Sequence, residues 1–236
     1  MNITPASLNG FRSAAPHQNK GQLQVIFGPM FSGKTTELLR RIKRYEVAAY
    51  SCLVIKYEHD KRYSDDGVAT HDRQTFKAIS CSRLQDVVNI AVKYEVIGVD
   101  EGQFFPDVVE FCEKMAKLKK TVIVAALDGD FQRKAFGNIL QLVPLAESVV
   151  KLSAVCMNCY GEGSFTKRLI SDTTIEVIGG ADKYMAACRD CHSQNLDIDT
   201  LERQKEKVRQ RRKPLLSMEN ISTGVLFHHR TENASF

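Results

Sequence analysis

Three groups of residues in this chain could do chemistry by their type and spacing. The first is Gly28-Pro29-Met30-Phe31-Ser32-Gly33-Lys34-Thr35, a complete G-x-x-x-x-G-K-[ST] run. Glycines at 28 and 33 let a backbone wrap an anion with no Cβ in the way. Lys34 can reach the outer phosphates of a nucleoside triphosphate, and the Thr35 hydroxyl can ligate Mg²⁺. The second is Asp100-Glu101, which closes the apolar run Val96-Ile-Gly-Val99. Asp100 is suited to hold Mg²⁺ beside Thr35, directly or through water. Glu101 can polarise a water in an ATPase, or take the proton of an attacking hydroxyl in a small-molecule kinase. The third is Cys156-Met-Asn-Cys159 with Cys188-Arg-Asp-Cys191, two C-x-x-C knuckles whose four thiolates would complete a closed, structural Zn²⁺ site.

Such a closed site has no open position for a catalytic water, so its expected role is to tie together the ends of residues 160–187. That segment holds a strand-like stretch, Thr174–Ile178, then Gly179-Gly180 and Tyr184, and reads as a lid over a small ligand. Cys188-Arg-Asp-Cys191-His192 also matches a c-type haem attachment pattern, but that reading strands Cys156 and Cys159. Cys52, Cys81 and Cys112 stand in apolar settings and read as core.

The elements that must position these groups follow from hydrophobic period. Leu23–Phe27, Ser51–Tyr57, Val96–Asp100, Thr121–Ala126 and Ser148–Leu152 are apolar runs of strand length. Leu38, Leu39 and Ile42 recur at helical spacing after the phosphate loop, Leu84–Val92 has the same period, and Pro106 opens a helix to about Leu118. Strands apolar throughout and alternating with helices imply an α/β fold, a mainly parallel sheet covered on both faces. Residues 58–74, rich in Asp, Ser and Gly, read as a loop at the carboxyl edge of that sheet. Composition shifts near Ala154. The expected division is a 1–20 tail, a 21–153 nucleotide-binding domain, a 154–195 zinc-ribbon lid domain and a flexible basic tail over 196–236.

Net charge and cysteine usage narrow the function classes. Between Leu201 and Pro214 seven Lys/Arg face two Glu, which accounts for the whole +5 and leaves the remainder balanced. A nucleic-acid-binding body would carry its own basic surplus, so no nucleic-acid partner is expected. The basic stretch reads as a solvated helix or coil. No run of about 18 apolar residues is present, and residues 1–20 lack the apolar core of a signal peptide, so a soluble, cytoplasmic protein without a membrane partner is expected. On these residues alone, an NTP-hydrolysing motor or switch and a phosphotransferase both remain open.

The combination of Gly28–Thr35, Asp100-Glu-Gly-Gln-Phe-Phe105, Leu127-Asp-Gly-Asp-Phe-Gln-Arg133, Ile178-Gly-Gly-Ala-Asp-Lys-Tyr184 and the two knuckles resembles the type II (cytosolic) thymidine kinases, over about residues 21–192. The resemblance implies a P-loop, RecA-like domain with a zinc-ribbon lasso. It also implies transfer of the γ-phosphoryl of ATP to the 5′-hydroxyl of thymidine, and of deoxyuridine, with Mg²⁺. Glu101 would then be the base, with Lys34 and Arg62 neutralising charge on the moving phosphoryl group. Asp60, Lys61 and Arg62, with Asp100, Glu101, Gly102 and Gln103, would line the phosphoryl-transfer region. Met30, Leu127, Phe131, Tyr184 and the lasso Ile175, Glu176, Val177, Ile178 and Gly179 would hold the nucleoside. A homotetramer (or dimer) and feedback inhibition by thymidine triphosphate are also implied. Vertebrate members carry a Lys-Glu-Asn degradation triplet in the C-terminal tail; this chain has no such triplet.

Overall fold

The computed structural model describes residues 20–59, 67–69, 75–177 and 179–212. Along the chain run β1 (Gln22–Phe27), α1 (Lys34–Val47), β2 (Cys52–Tyr57), β3 (Gly67–Ala69), β4 (Thr75–Lys77), β5 (Ile79–Cys81) and α2 (Val88–Ala91). They are followed by β6 (Val96–Val99), α3 (Val108–Lys117), β7 (Thr121–Ala126) and β8 (Ser148–Lys151). The cysteine-bounded part supplies β9 (Ala154–Val155), β10 (Glu162–Gly163), β11 (Phe165–Arg168), β12 (Tyr184–Ala187), α4 (Arg189–Ser193) and α5 (Ile198–Arg212).

Six strands form one sheet in the order β5-β2-β6-β7-β1-β8, and every pairing is parallel. Side chains alternate faces along a strand, so each central strand feeds two cores. On one face Ile26, Val54, Ile123 and Ala125 pack against Leu38, Leu39, Ile42 and Tyr45 of α1. On the other, Leu23, Val25, Val122 and Val124 pack against Val108, Phe111, Cys112 and Met115 of α3. Cys81 and Cys112 are core thiols, as their settings imply. Fully burying one such aliphatic side chain contributes about 1.5–3 kcal/mol, so these two layers hold the sheet.

Parallel strands bring their carboxyl ends to one edge, where ligands of open α/β sheets bind. Phe27 is in register with Ala126 and Val99 with Val124, so the residues that follow β1, β6 and β7 emerge side by side. These are Gly28, Asp100 and Leu127.

Three stretches differ from the sequence reading. The polar stretch 58–74 is not wholly loop, because β3 and β4 pair antiparallel with Val68 opposite Phe76. These β-formers outweigh the Asp, Ser and Gly around them. Thr174–Val177 forms no strand, since its carbonyls are engaged by side chains. The basic stretch after Leu201 lies in α5, a helix being one of its two expected forms. The expected flexible tail does not begin at 196, since Leu196 and Leu201 pack on Cys156, Met185, Ala187 and Cys191 in a third, smaller core.

Candidate active site

The phosphate loop is shaped by its backbone. Gly33 has φ 81°, in the left-handed region, while a Cβ there would meet nothing within 4 Å. Glycine is needed for conformation, and the concavity beside it stays open. At Gly28 the reason is space: a Cβ would lie 2.5 Å from Ser32 Oγ and 2.7 Å from the Leu152 carbonyl oxygen. Helix α1 begins directly after Gly33, so its unpaired N–H groups and positive dipole end face the loop. Lys34 Nζ donates to the Pro29 carbonyl at 2.8 Å, and Ser32 Oγ donates to the same oxygen at 2.8 Å, which folds the ammonium across the loop.

Next to it stand the acids of β6. Thr35 Oγ1 lies 3.1 Å from both carboxylate oxygens of Asp100. Burial first, then the neighbouring charge of Glu101, raises the Asp100 carboxyl well above the ordinary range, while the Thr35 hydroxyl and Lys34 pull it down. A buried acid beside a hydroxyl is an all-oxygen site that a hard cation would neutralise. Glu101 has φ 53°, which turns the chain sharply out of β6. Gly102 permits that turn, because a Cβ there would sit 2.6 Å from Val124 Cγ1. Buried Gln103 then bridges two elements. Its Nε2 donates to Glu101 Oε2 at 2.6 Å, and its Oε1 accepts from the Leu127 N–H at 2.9 Å. Glu101 is thereby aimed by the end of β7.

The four knuckle cysteines converge. Their Sγ atoms all lie within 4.8 Å of one another, with Cys159 and Cys188 3.7 Å apart. A tetrahedron with metal–sulfur bonds of about 2.3 Å has edges of roughly 3.8 Å, so the four thiols are placed for one metal ion. Burial pushes the Cys156 thiol up, but backbone N–H bonds from Cys159, Cys188 and Asn158 outweigh it and bring it to about 6. His192, the histidine of the haem-like pattern, instead pairs its Nε2 with the Phe131 carbonyl at 3.0 Å.

The segment expected to serve as a lid hangs from the β11–β12 hairpin, whose last rung pairs Arg168 with Tyr184. Arg168 donates to the carbonyls of Asp172, Thr174 and Ile175 and to the Tyr184 hydroxyl, and that hydroxyl donates to the Val177 carbonyl at 2.7 Å. Phe131 lies under the guanidinium, 3.9 Å from Cζ to ring centroid. Asp130 holds the turn that presents Phe131 by accepting from the Gln132 and Lys134 N–H groups at 2.8 and 2.9 Å. At the far end of the lid the Glu176 carboxylate stands near Tyr57; burial first, and then this charge, raise the Tyr57 phenol.

Gly28 to Thr35, Asp100 to Gln103 and Leu127 thus meet at one sheet edge, while Ile175 to Val177, Phe131 and Tyr184 meet around Arg168. Asp60, Lys61, Arg62 and Ile178 lie outside the described residues. Glu176, expected at the nucleoside, has its carboxylate near Tyr57, and the Met30 N–H, in the phosphate loop, is given to Thr166 Oγ1 at 2.9 Å. Sequence reasoning missed Thr166 and Arg168. The available signal was a short polar strand in which Thr166 and Arg168 share one face, and those two are its buried residues.

A phosphate loop between the first strand and helix of a parallel sheet, with an acid delivered beside it, defines the class: a P-loop nucleotide-binding protein. The sequence model of the thymidine kinase family matches residues 21–192. The chain therefore belongs to the thymidine kinase family, and its activity is the phosphorylation of thymidine. It is 60% identical over 199 residues to the cytosolic thymidine kinase of Gallus gallus, covering 84% of this chain and 89% of the relative. Identity to the cytosolic thymidine kinase of Homo sapiens is 62% over 178 residues, covering 75% and 76%. The thymidine kinase of Variola virus is 58% identical over 174 residues, covering 74% of this chain and 98% of the viral one.

Proposed function

We propose that residues 21–153 bind ATP and residues 154–195 close over thymidine, so that the γ-phosphoryl passes to the 5′-hydroxyl and gives thymidine monophosphate and ADP. Deoxyuridine is the expected second substrate. Main-chain N–H groups of the phosphate loop and the start of α1 grip the phosphates, and Lys34 offsets their growing charge. Thr35 and Asp100 would hold Mg²⁺, which when bound would offset negative charge on the phosphates. Glu101 takes the proton of the 5′-hydroxyl. Gln103 keeps its carboxylate turned toward the cleft. Asp60 to Arg62 complete the phosphate side in this reading, with Arg62 as a second cation.

On the nucleoside side, Met30, Leu127, Phe131 and Tyr184 give an apolar and aromatic wall, and the main chain of 175–179 reads the edge of the base. Zn²⁺ is the metal whose bond lengths and thiolate preference suit the four cysteines, and its role there is structural. Family resemblance supports a homotetramer (or dimer), feedback inhibition by thymidine triphosphate and a cytoplasmic location; the chicken and human relatives are named cytosolic. Among the described residues, no helix is long and apolar enough to cross a membrane.

The observation that carries these roles is the Glu101–Gln103–Leu127 bridge, which aims a carboxylate beside the Thr35–Asp100 pair. Glu101→Gln leaves Gln103 an oxygen to hold and removes only the base. The expected result is retained ATP and thymidine binding with kcat lower by ~10²–10⁴, the span of general-base loss. Turnover near the wild-type rate would take Glu101 out of the reaction.

A further inference from the structure

Among the described residues of 169–183 there is neither helix nor strand, yet this lid is tied back onto its own base. All four terminal N–H groups of Arg168 are engaged. Nη1 donates to Asp172 O at 2.9 Å and to Thr174 O, and Nη2 donates to Ile175 O at 3.0 Å and to the Tyr184 hydroxyl at 2.7 Å. The side chain is 8% exposed, and among the described residues it pairs with no carboxylate. Burying a guanidinium is expensive, and a purely structural arginine recovers most by facing an acid. This one faces neutral carbonyls of a single loop, with its Cζ 3.9 Å from the Phe131 ring centroid.

We infer that Arg168 is the positioning residue of the lid: it fixes the loop for the nucleoside and gives the loop a donor face that selects keto over amino pyrimidines. This rests on the reading of the lid given above. Arg168 and Tyr184 together engage the carbonyls of 172, 174, 175 and 177. Main-chain groups of that stretch left for a ligand are then mostly N–H, the Thr174 N–H excepted because Asp172 Oδ1 accepts it at 2.8 Å. An N–H placed opposite C4 matches the carbonyl of thymine and opposes the 4-amino group of cytosine, while the thymine N3–H needs one of the carbonyls that Arg168 and Tyr184 do not take. A polar site of this kind rejects the mismatched analogue because buried groups are left unpaired. The planar fork is what permits four bonds at once. Lysine, a point charge with three donors, can make only part of the set.

The test is steady-state kinetics of the full chain with thymidine and with deoxycytidine, for wild type, Arg168→Met, Arg168→Lys and Tyr184→Phe. In Arg168→Met the thymidine KM rises ~10–100-fold with kcat within about threefold and the ATP KM unchanged, the pattern of lost uniform binding. The thymidine-to-deoxycytidine ratio of kcat/KM narrows about 10-fold or more. Arg168→Lys falls between, and Tyr184→Phe raises the thymidine KM by about fivefold. Cleavage after Glu176 by a glutamate-specific protease becomes faster in Arg168→Met without nucleoside. A wild-type thymidine KM in Arg168→Met overturns the inference, as does a fall in kcat at unchanged KM. A raised KM with unchanged base selectivity overturns the donor-face part. Should Arg168→Met fail to fold, wild-type KM values in both other variants overturn it. Failure of the wild-type enzyme itself to phosphorylate thymidine is a different result and would strike the reading of the lid.

Discussion

The two ends of the cleft are held in shape by different means. On the phosphate side the main chain does the shaping, through glycines at 28 and 33, a left-handed residue at 31 and the start of α1 on a parallel strand. On the proposed nucleoside side the described residues of the lid, within 169–183, form neither helix nor strand. A stacked guanidinium, a phenol and four converging thiols hold it instead. A cradle that must meet the same phosphates on every substrate can be rigid and local. A lid that must admit and release a nucleoside is better fastened by a few separable bonds, and bonds between side chains and carbonyls are of that kind.

Three perturbations would break or sharpen that contrast. The largest effect is expected from the thiols. Removing the metal with a chelator, or Cys156→Ser, forfeits a site whose binding free energy is typically about 10–16 kcal/mol at neutral pH. Thymidine turnover should collapse while ATP binding by the phosphate half survives, as followed by calorimetry. Equal loss of both ligands would mean that the halves do not fold separately. Gly28→Ala should do the reverse. Its Cβ would meet Ser32 Oγ at 2.5 Å and the Leu152 carbonyl at 2.7 Å, so the loop must shift. Loss of ~10²-fold in kcat/KM for ATP is expected, with nucleoside binding intact. Unchanged ATP kinetics would show the loop to be softer than its geometry implies.

Smallest is Glu37→Gln, in the first turn of α1. Hydrogen bonding to Arg40, more than the charges of Arg40 and Arg41, holds the Glu37 carboxyl down at about 2 against burial. Because its folded value is depressed, its stabilisation is present above about pH 4.5 and lost as the pH falls toward 2. Solvent screening limits the contribution to about 0.5 kcal/mol. Urea unfolding should therefore show a small deficit in the variant at pH 7 that narrows below about pH 4.5 and closes only near pH 2; a gap that does not narrow over that window would assign the deficit to something other than charge.

Legibility in the sequence followed the same division. Main-chain devices require particular residue types at fixed spacing, so the phosphate loop, the acid after β6 and the paired knuckles could be read from residues 28–35, 100–101 and the cysteines. The parallel sheet followed from strands that are apolar throughout. Arg168 could not be read this way, because its meaning depends on Tyr184 standing opposite it and on Phe131, which reaches it from the turn after β7. Thr174–Val177 was misread as a strand for a related reason: β-branched residues suggest pairing, but here Arg168 and Tyr184 take the carbonyls a neighbouring strand would have used.

The hydrogen bond from the Met30 N–H to Thr166 Oγ1 ties the phosphate loop to the strand that carries Arg168. That amide faces a protein neighbour and not an anion, so the loop is moored at one point to the wall of the opposite compartment. In the proposed reading, the resting places of the sugar and of the donor phosphate are therefore not independently adjustable. Any change that re-seats β11 also alters the gap the phosphoryl group must cross.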